Sequence, residues 1–319
     1  MTAAPHDLVT LGEPLIGLVG TAPLPMVMTD AFGVHVVGAE SNLAIGLARL
    51  GRRVAYVGKV GADALGARIR RTLAAEGIDV SHLTDADAPT GLLLRDRPIG
   101  GAPEVIYRRT QSAGSLLCAQ DVAAAADVIA KARGLHITGV TCALSSSCRD
   151  AVSAAVRTAS AAGVPISFDV NYRSRLWTHE EAAATLRPLL PHCHTIFGSV
   201  DELCLVAGSA SATDAVRSML HAGVQVVVLK MGEAGAQAWT ADGAHEAARA
   251  VDVPVVDVVG AGDAFAAGWL AARLLDYDLS DCLTRANAYA ATVVATVGDT
   301  DGLAFALPGA GLPGADVQR

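Results

Sequence analysis

From residue 121 onward, apolar segments of two kinds alternate, and this alternation restricts the fold more than any other feature. Stretches over 121–133, 148–162, 180–190 and 211–222 carry helical periodicity. Short runs over 135–140, 164–169, 195–198 and 224–230 read as strands. Gly163 and Gly223 stand where two of the helices should stop. Strands joined by helices pair in parallel through right-handed crossovers, which covers both faces of the sheet. The run VQVVVLK (224–230) is apolar on both faces, as a strand buried in such a sheet must be. The expected fold class is α/β, a doubly wound, mostly parallel sheet with helices on both faces.

The first half contributes strands over 8–11, 15–19 and 54–61. A helix follows from AESNLAIGLARLG, where Leu43, Leu47 and Leu50 fall on one face ahead of Gly51, and another from GARIRRTLAAEG, closed by Gly77. Residues 90–95 and 104–110 read as strands around a loop containing Gly100 and Gly101. The segments about 13–37 and 88–112 exceed what the main sheet needs. They are expected to form a small β-sheet lid within a single domain spanning 1–319. Ligands of such folds bind beyond the carboxyl ends of the strands, so the loops after 169, 230 and 259 are the candidate functional loops.

Composition narrows the partners. A net charge of −8 gives no electrostatic footprint for nucleic acid. The six cysteines have no CxxC spacing and read as reduced thiols of a cytoplasmic protein. The N-terminal residues lack the basic and apolar regions of a signal peptide. The most apolar window, 264–275, is too short for a bilayer and carries Arg273, so it is expected to be a core helix. His192, Cys193 and His194 cluster without evident further ligands for zinc.

The stretch VVGAGDAF (258–265) concentrates the chemistry. PVVDVV (254–259) is strand-like, the segment from Asp263 is helix-like, and Gly260, Ala261 and Gly262 lie between. Glycines at a helix start let an anion reach unpaired backbone N–H groups at the positive end of the dipole. Those three residues could hold charge on a transferred phosphoryl group while Asp263 accepts the proton of the attacking hydroxyl. The plainer reading is a strand–helix turn with an N-terminal aspartate. The chain contains neither a Walker A sequence nor a GxGxxG after an early strand.

DVVGAGDAFAAG, GAESNLAIGLARLG, YVGKVGADALGARIRRTLAAEGID, FDVNYRSRLW and LKMGEAGA occur in this order. Together they resemble the motifs of the ribokinase-like (PfkB) carbohydrate kinases over about residues 8–307. The resemblance implies an α/β domain with a β lid, ATP, Mg²⁺ and a sugar hydroxyl as acceptor, and it leaves room for a monovalent cation. It implies that Asp263 is the base and that Gly260, Ala261 and Gly262 form the anion hole. Gly38, Asn42, Tyr107, Arg109, Arg173 and Asp299 would meet substrate. Asn171, Ser199, Lys230, Gly232, Gly235 and Asn287 would serve the nucleotide, and Glu202 would act on Mg²⁺ through water. FDVNYRSRLW and YRRTQSAGSLL are most similar to blocks of the 2-keto-3-deoxygluconate kinases, in which an arginine meets the sugar acid.

Several positions depart from the family pattern: Val37, Leu92, Leu93, Arg108, Ser199, Val258 and Val259. Arg108 and Arg109 should point to opposite faces of a strand, so one of them enters the pocket. Plainer roles exist for other residues: Arg173 and Arg109 as surface arginines, Lys230 as a snorkelling lysine, Glu202 as a first-turn acid, Asp299 as a turn residue. Three functions stay open at this level: a sugar-acid kinase, a kinase of a neutral sugar, and a sugar- or nucleotide-binding regulator without catalysis. Exposed lid edges also predict a homodimer, or a higher homo-oligomer.

Overall fold

The computed structural model describes residues 5–99 and 103–307. The loop glycines Gly100 and Gly101 lie outside the described residues. Thirteen strands are formed among those described: β1 (Leu8–Gly12), β2 (Leu15–Gly20), β3 (Phe32–Val37), β4 (Val54–Gly61), β5 (Asp79–Ala86), β6 (Leu92–Arg95), β7 (Val105–Arg108), β8 (Leu135–Thr138), β9 (Ile166–Asp169), β10 (Thr195–Gly198), β11 (Val226–Lys230), β12 (Ala236–Thr240) and β13 (His245–Ala248). Nine of them make one sheet in the order β13-β12-β11-β10-β9-β8-β1-β4-β5; the other four make a small sheet, β3-β2-β6-β7. The large sheet is parallel from β5 to β11 and antiparallel at the β11–β12–β13 end. The small sheet is antiparallel except for the β2–β6 pair. It falls within the two segments expected to be surplus.

Eleven α-helices are formed among the described residues, and they flank the large sheet. They are α1 (Ala39–Arg49), α2 (Ala64–Ala75), α3 (Ala119–Ala124), α4 (Ala126–Lys131), α5 (Gly139–Leu144), α6 (Ser146–Ala161), α7 (His179–Leu186), α8 (Val200–Ala207), α9 (Ala212–His221), α10 (Ala261–Arg273) and α11 (Leu279–Val294). Alternate residues of one strand feed two separate cores. On β11, Val227 and Leu229 join the core that contains Val152, Ile129 and Met219, whereas Val226 and Val228 join the core of Trp269 and Tyr289. Helix α10 is buried along its whole length from Asp263 to Ala272, as its near-continuous apolar sequence requires. Its small residues permit close approach: a Cβ on Gly268 would lie 3.0 Å from Tyr289 Cβ.

Three local expectations change. PVVDVV (254–259) is not a strand. Val255, Val256 and Val258 are exposed, and no strand among the described residues lies alongside; the backbone N–H groups of Val256 and Asp257 donate to the carbonyl of Val294 instead. β-propensity expresses fit to a pleated, half-buried surface, and here that surface is missing. The helix expected over 121–133 is divided at Ala125 into α3 and α4. The strand expected over 135–140 ends at Thr138, whose side chain caps α5.

Candidate active site

Strands β1, β8, β9, β10 and β11 are parallel neighbours, so their carboxyl ends share one edge of the sheet. Gly260 caps α10 at φ +80°, and a side chain there would bring Cβ within 2.6 Å of the Asp299 carbonyl oxygen. Only glycine fits both the left-handed backbone and that close approach. Asp263 follows in the first turn and is buried. Its carboxyl accepts from Asn42 Nδ2 at 2.9 Å and from Asn171 Nδ2 at 3.4 Å. Burial pushes the Asp263 pKa up to about 7, against the opposing effects of the Asn42 hydrogen bond and the Arg173 and Lys230 charges, while Asp169 pushes it further up. A carboxyl poised near neutrality suits a general base.

Both asparagines are held by special backbone. Asn42 donates its own N–H to the carbonyl of Gly38, the φ +132° residue capping α1; a Cβ on Gly38 would lie 2.7 Å from the Glu13 carbonyl oxygen. Asn171 itself sits at φ +41°, a left-handed value that asparagine tolerates better than most residues. The Oδ1 atoms of Asn42 and Asn171 are buried and accept no hydrogen bond from the described residues. They are acceptors beside Asp263, available to a donor such as a sugar hydroxyl.

Lys230 ends β11, and its Nζ lies 2.7 and 2.9 Å from the two carboxylate oxygens of Asp169 at the end of β9. A Cβ on Gly262 would lie 3.6 Å from the same Nζ, so the ammonium faces the glycine loop. Burial alone would lower the Lys230 pKa, but Asp169 and Glu202 hold it above the ordinary lysine value. Ser199 and Glu202 form a capping box at the start of α8, the Ser199 N–H donating to Glu202 Oε2 at 2.7 Å. Glu202 Oε1 accepts from the Tyr172 N–H at 2.8 Å, which pins the Asn171–Arg173 loop. The remaining nucleotide candidates lie further along the same side. Gly232 is at φ +57° with no atom near its Cβ position, and Gly235 is at φ +96° against the Ala248 carbonyl. Asn287 Nδ2 donates to the carbonyls of Ala248 and Arg249, both at 3.1 Å.

Beside this buried centre, Tyr107, Arg109, Arg173 and Arg175 line an open cleft of about 530 Å³. Arg109 lines it and Arg108 does not; β7 ends at Arg108, so Arg109 reaches the cleft from the residues that follow the strand, together with Thr110, rather than from a strand face. Arg109 already has a partner: its Nη2 lies 2.6 Å from Oε2 of the fully buried Glu13, which also accepts from the Ser112 hydroxyl. Asp299 Oδ2 accepts from Asn42 Nδ2 at 3.4 Å, and Oδ1 lies 3.5 Å from Arg95. The structure thus gathers Gly38, Asn42, Asn171, Lys230, Gly260–Asp263 and Asp299 around one carboxyl. It sets Tyr107, Arg109 and Arg173 on the cleft, and keeps Asn287 with the β13 end. Sequence reasoning missed Glu13, Arg95, Asp169 and Asp257. A charged residue closing an otherwise apolar strand, as Asp169 closes ISFD and Arg95 closes LLLR, was the available signal.

Known proteins agree with this architecture. A family model described as pfkB family carbohydrate kinase matches residues 6–305. A 2-dehydro-3-deoxygluconokinase of Bacillus subtilis (strain 168) is 36% identical over 302 residues, covering 93% of this chain and 92% of its own. A 2-dehydro-3-deoxygluconokinase of Thermoproteus tenax is also 36% identical, covering 93% and 91%. An E. coli protein solved in complex with ATP and Mg²⁺ superimposes with a TM-score of 0.87 at 27% identity, covering 94% of this chain and 96% of that one. This chain belongs to the pfkB family of carbohydrate kinases.

Proposed function

We propose that this kinase phosphorylates 2-keto-3-deoxygluconate or a closely similar sugar acid at the expense of ATP. One observation carries the choice of an acid: the cleft beside Asp263 presents Arg173 and Arg175 as well as Arg109. A planar guanidinium binds a carboxylate through two parallel hydrogen bonds, and a neutral sugar has no use for such a concentration of them. The names of the two 36% identical relatives support the same substrate.

In this reading Asp263 accepts the proton of the attacking hydroxyl, oriented by the Nδ2 donors of Asn42 and Asn171. The N–H groups of Gly260 and Gly262, and that of Ala261 once it leaves its long 3.4 Å bond to the Val258 carbonyl, hold the developing negative charge with the Lys230 ammonium facing the loop. When bound, ATP supplies the phosphoryl group and Mg²⁺ neutralises its charge. Mg²⁺ keeps several of its waters and needs few protein ligands. The carboxylates of Asp169 and Glu202 and the unpartnered Asn171 Oδ1 fit acceptance from such waters. Gly38, Asn42, Tyr107, Arg109, Arg173 and Asp299 receive the sugar. Ser199 shapes the α8 start, and Gly232, Gly235 and Asn287 shape the nucleotide side. The chain acts as one kinase domain with the small sheet as its lid.

Glu13 favours a second reading, because it compensates Arg109 and leaves that arginine less free for an acid. Coupled ADP release over a panel of sugars and sugar acids separates the cases. Turnover of fructose or ribose but not of the keto-acid overturns the substrate choice. Tight binding without turnover of any compound supports the regulator. Six cysteines without CxxC pairing or regular spacing support a reducing, cytoplasmic setting. A homodimer through the outer strands β3 and β7 of the small sheet is part of the same proposal, and light scattering that finds a monomer overturns it.

A further inference from the structure

Arg95 is the last residue of β6, in the small sheet, and is 2% exposed. A buried guanidinium costs much desolvation unless several acceptors surround it. Its acceptors come from elsewhere in the chain. Nη1 donates to Asp257 Oδ1 at 3.2 Å. Nη2 lies 2.8 Å from Asp257 Oδ2, an ion pair rather than an aligned hydrogen bond, and 3.5 Å from Asp299 Oδ1. Asp257 in turn fixes the glycine loop: its Oδ1 accepts from the Val259 N–H at 3.1 Å and its Oδ2 from the Gly298 N–H at 3.4 Å. Asp299 continues toward the base, since Asn42 Nδ2 lies 3.4 Å from Asp299 Oδ2 and 2.9 Å from Asp263 Oδ2. The Asp299 backbone also packs against Gly260, at the distance that forbids a side chain there.

We propose that Arg95 is a positioning residue for phosphoryl transfer, tying the small sheet to the anion-hole loop through Asp257 and to the general base through Asp299 and Asn42. The proposal rests on the assignment of Asp263 as base. Segment 254–259 pairs with no strand among the described residues; its backbone is held at the Val294 carbonyl, and the Arg95–Asp257 fork adds the side-chain tie that fixes its register against the small sheet. Two carboxylates with no cation between them would repel and release both loops. The reach of the guanidinium also makes the loop geometry depend on where the small sheet sits. A lid strand displaced from its place would slacken the anion hole.

The test begins with wild-type turnover on the substrate panel. If no sugar is phosphorylated, the functional reading fails, independently of Arg95. With turnover established, Arg95→Met is expected to lower kcat about 100-fold, the cost of misplacing catalytic groups by about 1 Å, with KM for ATP nearly unchanged. Asp257→Asn should lose activity similarly. The double variant should be no worse than either single one, because both break the same link. Millimolar guanidinium should restore part of the kcat of Arg95→Ala and nothing in Asp257→Asn. Thermal unfolding checks each variant. If Arg95→Met does not fold, Arg95→Lys keeps the charge without the fork, and its kcat should fall about tenfold, as for one lost charge-assisted hydrogen bond. A kcat within threefold of wild type in a folded Arg95→Met or Arg95→Lys overturns the proposal. So do losses that multiply in the double variant, or an Arg95→Ala that guanidinium does not rescue.

Discussion

The transfer centre and the arginine cleft lie side by side but are built by opposite rules. Around Asp263 the side chains are buried, or half-buried in the case of Lys230, and each is engaged by another: Asn42, Asn171, Asp169 with Lys230, Asp299 with Arg95. In the cleft, Tyr107, Arg173, Ser174 and Arg175 are exposed; Arg109 is anchored by the Glu13 carboxylate, and Arg175 donates to the Val105 carbonyl, at 2.7 Å. A network in which each group fixes the next holds geometry within the narrow tolerance that proton and phosphoryl transfer demand. An open cleft of solvated cations discriminates by charge and leaves room for altered residues. Arg108, Leu92 and Leu93, which depart from the family pattern, all belong to the small sheet that supplies one wall of that cleft. Chemistry and specificity are therefore separable here, and substitution can test the separation.

The largest effect should come from the centre. Asp263→Asn is expected to lower kcat by about 10²–10⁴-fold, the usual worth of a general base, while ATP affinity measured by calorimetry stays within a few-fold. Retained turnover would remove Asp263 from the mechanism. In the wild type, kcat/KM should fall tenfold per pH unit on the acidic side of about 7, where Asp263 takes up its proton.

In the cleft, Arg173→Met should cost about 10- to 100-fold in kcat/KM for the sugar acid, as expected for lost hydrogen bonds to a charged group. Any neutral sugar that is turned over should be affected much less. Equal losses on both would mean that Arg173 serves the centre rather than the cleft. At the loop joining the centre to its surroundings, Gly260→Ala should destabilise the fold by about 1–2 kcal/mol from the left-handed backbone, with an added cost from the clash with Asp299. Denaturant unfolding measures this, and an unchanged midpoint would show that the loop is free to relax.

The last effect bears on stability against pH rather than on turnover. The folded Asp263 carboxyl holds its proton up to about 7, whereas in the unfolded chain it releases it near the ordinary value of 3.8. The native state therefore binds more protons between these values, and this group's contribution to stability falls as pH rises through that interval. Asp263→Asn should raise the melting temperature relative to wild type above pH 7 and lose that advantage near pH 4. An advantage independent of pH would mean that the carboxyl is not held neutral by burial.

Much of this could be read from residue order. The alternation from 121 onward announced the parallel sheet, and the glycines before Asp263 announced a helix start. The β12–β13 hairpin went unread, although AQAWT alternates and Asp242–Gly243 is a turn signal. PVVDVV misled because its valines satisfy strand propensity, yet no strand among the described residues lies alongside them.

What the sequence determined by itself is what depends on neighbours along the chain: periodicity, caps, the glycine turn and its aspartate, and through the ordered motifs the kinase family. What only the tertiary structure decided is which charges meet. Glu13 finds Arg109 across 96 positions, Lys230 finds Asp169 across 61, and Arg95 finds Asp257 across 162. Each of these residues carries its charge whether or not it has a partner, so composition and spacing cannot assign the pairs. Burial raises the cost of an unpaired charge until one arrangement is left, and burial exists only once the sheets and helices have packed.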